Sequence, residues 1–90
     1  MPAIDVKKAV AIAIQYFREL IQHQYADLEL EEVELSEDGN FWFVTLGFTR
    51  MAGSLGQMFQ PPTRAYKMIK INATTGEPEA MKMRAPVEAR

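Results

Sequence analysis

Residues 41–49, Phe41-Trp42-Phe43-Val44-Thr45-Leu46-Gly47-Phe48-Thr49, are the most apolar run of the chain and hold its single tryptophan. Aromatic and β-branched side chains dominate the run, and these fit a pleated, half-buried surface. Ser36-Glu37-Asp38-Gly39-Asn40 lies just before it, and an Asp-Gly pair between two β patterns is a strong hairpin signal. The run therefore reads as a central β-strand. Alternation gives that strand two faces. Trp42, Val44, Leu46 and Phe48 are uniformly large and apolar, and are assigned to a helix-facing core. Phe41, Phe43, Thr45, Gly47 and Thr49 are apolar at one end and polar at the other, which points to a back face covered only in part.

Upstream, residues 5–25 read as an amphipathic helix with Asp5 as its N-cap. Val6, Ala9, Val10, Ala13, Ile14, Phe17, Leu20 and Ile21 recur at three- and four-residue steps and form one stripe to be buried. Residues 28–35 alternate apolar and acidic, but the alternation slips at Glu31-Glu32, between Leu30 and Val33. Either the strand starts near Glu31 or a bulge re-registers it.

Downstream, residues 50–63 contain Gly53, Gly56 and the Pro61-Pro62 pair, and read as a long loop. Strand character resumes at Ala65-Tyr66-Lys67-Met68-Ile69-Lys70-Ile71-Asn72. Thr74-Thr75-Gly76-Glu77 is a tight turn, and Met81 and Met83 alternate with Lys82 and Arg84 in a last short strand. Pro78 at its start suits an edge position. Residues 85–90 read as a frayed tail.

The expectation is a single α+β domain over residues 1–90. One long N-terminal helix packs on a curled, three- to four-stranded antiparallel meander, with strands near 29–36, 41–50, 64–72 and 79–84. Ninety residues leave no room for two cores and bury a modest fraction of their surface. Stability is therefore marginal unless a partner adds to it.

Ile69-Lys70-Ile71-Asn72-Ala73-Thr74-Thr75-Gly76-Glu77 resembles the terminal hairpin of PepSY-type domains. There, a strand ends in an acidic or amide residue and a Thr-Gly-Glu turn leads to the last strand. The Ala-rich helix, acidic strand, turn and aromatic strand also follow that family's order, so the likeness covers most of residues 5–84. Asn72 stands where Asp is typical, Pro78 where an apolar strand residue is expected, and the 50–63 stretch is particular to this chain. A helix across a curled antiparallel sheet also looks like the cystatin-like group of folds. The resemblance implies a non-catalytic role. PepSY-type domains occur in protease propeptides, where they are linked to inhibition, and in cell-envelope proteins.

Charge is split along the chain. Residues 1–49 carry nine acids and three bases, whereas residues 50–90 carry three acids and seven bases. Such asymmetry serves self-association or pairing between strands. Asp27, Glu29, Glu31, Glu32, Glu34, Glu37 and Asp38 read first as a solvated face and charged edge, with a hard-cation site or a basic partner as the alternative. Arg64, Lys67, Lys70, Lys82 and Arg84 fall on the last two strands. A nucleic-acid groove needs a positive balance and exposed aromatics, so no nucleic-acid partner is expected.

No cysteine is present, and His23 is the only histidine. A nucleophilic triad or a zinc shell needs more convergent groups than that. No catalytic residue, metal or cofactor is therefore expected, and the chain reads as a non-enzyme. Lys7-Lys8 precedes an apolar run over residues 9–14 that is too short for a leader, and no stretch reaches the ~20 apolar residues of a spanning helix. This gives a cytoplasmic expectation without membrane insertion, a mature exported domain being the alternative.

The expected function is a protein-binding or regulatory, inhibitory module whose partner is another protein or a second copy in a homodimer. The candidate partner-binding residues are Arg50, Met51, Leu55, Met58, Phe59 and Arg64, because flexible, Met-rich apolar groups on a loop make adaptable surfaces. The competing reading has the loop fold back over the end of the sheet. Two other functions stay open. One is a small-ligand domain with a pocket between helix and sheet lined by Tyr16, Trp42 and Phe48. The other is a structural subunit of a larger assembly.

Overall fold

Asp5 starts the helix. Its side chain accepts a hydrogen bond from the Lys8 backbone N–H at 2.9 Å, which satisfies a donor that the first turn leaves free. In the computed structural model, which describes residues 3–21, 25–50 and 63–83, helix α1 spans Val6–Leu20. Four strands follow: β1 (Tyr25–Leu35), β2 (Phe41–Arg50), β3 (Thr63–Asn72) and β4 (Pro78–Met83). They form one antiparallel sheet in the order β1-β2-β3-β4, a meander with α1 on one face. This is the expected α+β class.

The helix is shorter than its periodicity implies. It has 15 residues, about 22 Å at the usual rise, and Ile21 caps it. The apolar stripe continues past that point, but Leu20 is half exposed and Tyr25 already belongs to β1. Val6, at the other end of the stripe, is exposed too. The buried part of the stripe is Ala9, Ala13 and Phe17, with Val10, Ile14 and Ile12 packed beside it. Two alanines on the contact line let the helix axis approach the sheet closely. Phe17 then fills the wider end of the layer.

Across from the helix, Val44, Leu46 and Phe48 of β2 meet Ile69 and Ile71 of β3. Pairing places Trp42 opposite Ile71, Val44 opposite Ile69 and Phe48 opposite Ala65, so these residues share one face. Phe17, Val44, Leu46, Ile69 and Ile71 are fully buried, each contributing roughly 1.5–3 kcal/mol relative to exposure. Trp42 is half buried because its indole reaches the edge of the layer, where Nε1 donates to the Ile4 carbonyl at 2.8 Å. At the other end of the helix, Phe17 lies 4.9 Å from Phe48 and 5.1 Å edge-on from Tyr25, the separations that aromatic pairs favour.

β1 resolves the slip in the acidic alternation with a bulge. Leu30 pairs with Leu46 and Glu32 with Thr45, leaving Glu31 as the extra residue. The bulge keeps Glu31 and Glu32 off the helix face and returns Val33 to the core side. A second irregularity between Ala26 and Glu29 contains Asp27 at φ 56°, a left-handed conformation that Asp tolerates better than most residues.

Both described turns are locked by side chains. In the β1–β2 turn, the Ser36 hydroxyl donates to Asp38 Oδ1 at 2.6 Å, and the Asn40 N–H donates to the same oxygen. These two bonds hold the Asp38 carboxyl below its ordinary range. In the β3–β4 turn, Asn72 Oδ1 accepts from the backbone of Thr74 and Thr75, while its amide donates to Glu79 at 3.1 Å. An aspartate at this position keeps the first two bonds but cannot donate the third. Gly76, at φ 83°, seats Ile4 and Ile12: a Cβ there would come within 2.5 Å of Ile4 Cδ1.

Two outcomes follow in denaturant melts. Asn72→Ala lowers stability by about 1–3 kcal/mol, while Asn72→Asp keeps the two turn bonds but sets a carboxylate against Glu79, so that its loss is smaller at low pH than at neutral pH. Asp38, with its folded pKa depressed, contributes stability that is complete above its ordinary value of 3.8 and is lost as the pH falls through the lowered value. The stability gap between wild type and Asp38→Ala is accordingly flat at neutral pH and closes below about pH 4.

Candidate functional site

The face of the sheet away from α1 carries the polar architecture. The cross-strand rows there have a common pattern. One row reads Glu34–Phe43–Lys70–Ala80 from β1 to β4, and the next reads Glu32–Thr45–Met68–Lys82. Further along the strands come Glu29–Gly47–Tyr66 and Ala26–Thr49–Arg64. Acids thus line the β1 side, bases the β3–β4 side, and apolar or small residues the middle. Phe43 and Met68 are half-buried, whereas Thr45 and Tyr66 are buried. The Lys70 ammonium lies 4.1 Å from the centroid of the Phe41 ring, a cation–π distance.

Arg64 is the hub of the upper half of this face. Its guanidinium reaches across β2 to β1. Nη1 donates to the Asp27 carbonyl at 2.8 Å and to Thr49 Oγ1, and Nη2 donates to Glu29 at 2.9 Å and Glu31 at 3.2 Å. The bulged β1 backbone turns the Asp27 carbonyl into reach, so one planar fork ties both irregular points of β1 to β3. Partial desolvation works against the Arg64 charge. The bond from Glu31 and the field of Glu29 outweigh it, with help from Tyr66, and the guanidinium pKa is raised.

Gly47 makes room for this crossing. A Cβ at residue 47 would sit 2.6 Å from Glu31 Oε2 and 3.0 Å from Arg64 Nη2. Glycine in the middle of a strand otherwise weakens it. Here its missing side chain is the gap through which Arg64 meets Glu31.

The candidate partner-binding residues are split by the structure. Arg50 is exposed at the end of β2, and its register assigns it to the helix face, with Trp42 through Phe48. Arg64 pairs opposite Thr49 and works on the far face. Met51, Leu55, Met58 and Phe59 lie outside the described residues, as does His23. Phe43 was not singled out from sequence as an interaction residue, although the odd-numbered alternation of β2 already set it on the back face; Glu34 and Lys82 entered only within the acidic and basic sets.

Among the described residues, the grooves on the surface include two that bear on the candidate site. One, of about 380 Å³, lies on the outer side of α1 towards β4, between Ile12, Tyr16 and Pro78 with Lys8 and Glu19 at its rim. Of the three rings that a helix–sheet pocket would gather, Tyr16 lines this groove. Phe48 is instead sealed against Phe17 and Tyr25, and Trp42 is bonded to Ile4. The other groove, of about 490 Å³, opens beside Phe43 and is lined by Glu34, Ser36, Glu37 and Asp38. Among the described residues, no group of three or more His, Cys, Asp or Glu side chains is placed to hold a metal ion. Nor is any described helix long and apolar enough to cross a membrane.

No protein-family model, curated protein or solved structure matches this chain.

The Gly47 gap predicts losses that do not add. Gly47→Ala destabilises the wild-type chain by about 1 kcal/mol, because the new methyl displaces Glu31 from Arg64. In a Glu31→Ala background the same substitution costs less, since the clash with Glu31 is gone and the 3.0 Å approach to Arg64 Nη2 remains. Additive losses in a double-mutant cycle by urea melts would refute this role for Gly47.

Proposed function

We propose that this chain is a non-catalytic protein-binding module of the PepSY-like kind, with a regulatory or inhibitory role, and that its docking surface is the open face of its sheet. One observation carries the reading. Helix α1 covers one face of the meander, while among the described residues no element lies over the other, which presents Phe41, Phe43 and Met68 between rims of opposite charge. An apolar floor inside a polar rim is the anatomy of a protein interface. The terminal-hairpin resemblance agrees with it, since that family acts by binding and not by catalysis.

The reading places the docking surface on β2, β3 and β4 themselves. A surface built on paired strands is preorganised and costs little conformational entropy on binding.

Site-specific photo-crosslinking in the chain's native cells tests it. A benzoylphenylalanine in place of Phe43 keeps the ring and gives a discrete protein adduct. The same group at Lys7, on the exposed side of α1, gives none. Absence of any adduct from residue 43 would discard the open face as a docking surface.

A further inference from the structure

We infer that the occupant of the open face is a second copy of this chain, packed sheet against sheet about a two-fold axis parallel to the strands. This deepens the docking reading above and rests on it. The argument is charge complementarity. The acids of the face stand on β1 (Glu29, Glu31, Glu32 and Glu34), and its bases stand on β3 and β4 (Arg64, Lys70 and Lys82). Rotation about an axis along the strands exchanges left and right, so β1 lies over β4 of the second copy and β2 over its β3. Glu32 then lies opposite the partner's Lys82, with Glu34 one residue pair further along the same strand, and Phe43 lies opposite the partner's Lys70. An axis perpendicular to the strands would set β1 on β1, acid against acid, which is the arrangement like charges forbid.

Internal pairing leaves part of this complementarity unspent, at Glu34 and Lys82. Among the described residues, Arg64 makes the ion pairs, to Glu29 and Glu31, while Glu34 and Lys82 are exposed and have no ionic partner. The groove beside Phe43, walled by Glu34, Glu37 and Asp38, is an acidic socket at the corner of the face, large enough for a lysine head.

Size also fits. Four strands at about 4.8 Å spacing and about 30 Å of length give each face on the order of 600 Å². Two such faces bury about 1,200 Å², the lower end of specific interfaces, which describes a reversible dimer. Aligned sheets pack about 10 Å apart at about −30°, a rotation that keeps β1 over the opposing β4.

Sedimentation equilibrium of the full chain, run with two charge reversals, tests the arrangement. Glu34→Lys and Lys82→Glu each set like charges within side-chain reach of each other, between β1 and the opposing β4, twice per dimer. Each raises the dimer dissociation constant at least about tenfold. Both residues are exposed and, among the described residues, have no ionic partner, so circular dichroism is unchanged. An equimolar mixture of the two variants pairs lysine with glutamate at both symmetry-related contacts. It restores association to within about threefold of wild type, as does the double variant Glu34→Lys/Lys82→Glu. In 0.5 M salt the wild type weakens.

A wild-type chain that stays monomeric up to about 1 mM overturns the inference. So does a dimer that neither reversal changes. A crosslink from residue 43 to a protein of another mass, together with a monomeric wild type, rejects self-pairing and leaves the docking reading standing. Loss of every adduct from residue 43 rejects both.

Discussion

The structure depends on how a short helix is seated over two strands. Ala9 and Ala13 bring the helix backbone close to the sheet, and Phe17 closes the layer against Phe48 and Tyr25. In a chain of this size the helix cannot be stable alone, because 15 residues are marginal in water without tertiary packing. β2 in turn needs the helix to cover Val44, Leu46 and Phe48. The two therefore stabilise each other. The remaining elements serve this contact: Ile4 and the Asn72–Glu77 turn clamp the start of the helix, where Ile4 N–H donates to the Ala73 carbonyl and Trp42 donates back to Ile4.

The opposite face follows a different rule. No described element lies over it, and polar side chains that bridge strands add to the burial of Thr45 and Tyr66 there. Arg64 is the main bridge, and it works only because three local departures from regular strand structure coincide. The Ala26–Glu29 irregularity exposes a carbonyl, the Leu30–Glu32 bulge brings in Glu31, and Gly47 leaves the crossing empty. Each departure alone weakens the β1–β2 ladder. Together they give β1 a bent, charged edge, a form that resists pairing with stray strands.

These features were unequally legible in the sequence. The faces of β2 could be read directly, since Trp42 to Phe48 alternate with a strict period and Asp38-Gly39 fixes where the strand begins. The bulge was half legible. Adjacent glutamates at 31 and 32 break the alternation, but only the register against Leu46 and Thr45 shows that the strand continues through the break. The helix end was not legible. Leu20 and Ile21 extend the apolar stripe, and periodicity records which face is apolar without recording where the sheet needs the chain to turn. Tyr25 had to enter a strand to reach Phe17, and no local pattern marks it. Gly47 was equally silent, because a glycine inside a strand carries no side chain to pattern. Its purpose appears only when Arg64 is found reaching over it.

The charge split has the most to say about function. A meander needs polar residues on its solvated face, but nothing in the fold requires acids on one side and bases on the other. Strands that pair their charges internally interleave them, as Arg64 does with Glu29 and Glu31. Lower on the same face the signs stay apart: Glu34 stands across Phe43 from Lys70, and Glu32 across Thr45 and Met68 from Lys82. At two strand spacings or more, these side chains gain little from one another through solvent. A segregated dipole across a partly apolar surface gains the fold little through solvent, yet it selects among orientations of whatever lies on that surface. In the proposed pairing, such a face meets its own image once the image is turned about the strand axis, and the segregation would then be a device for contact between molecules.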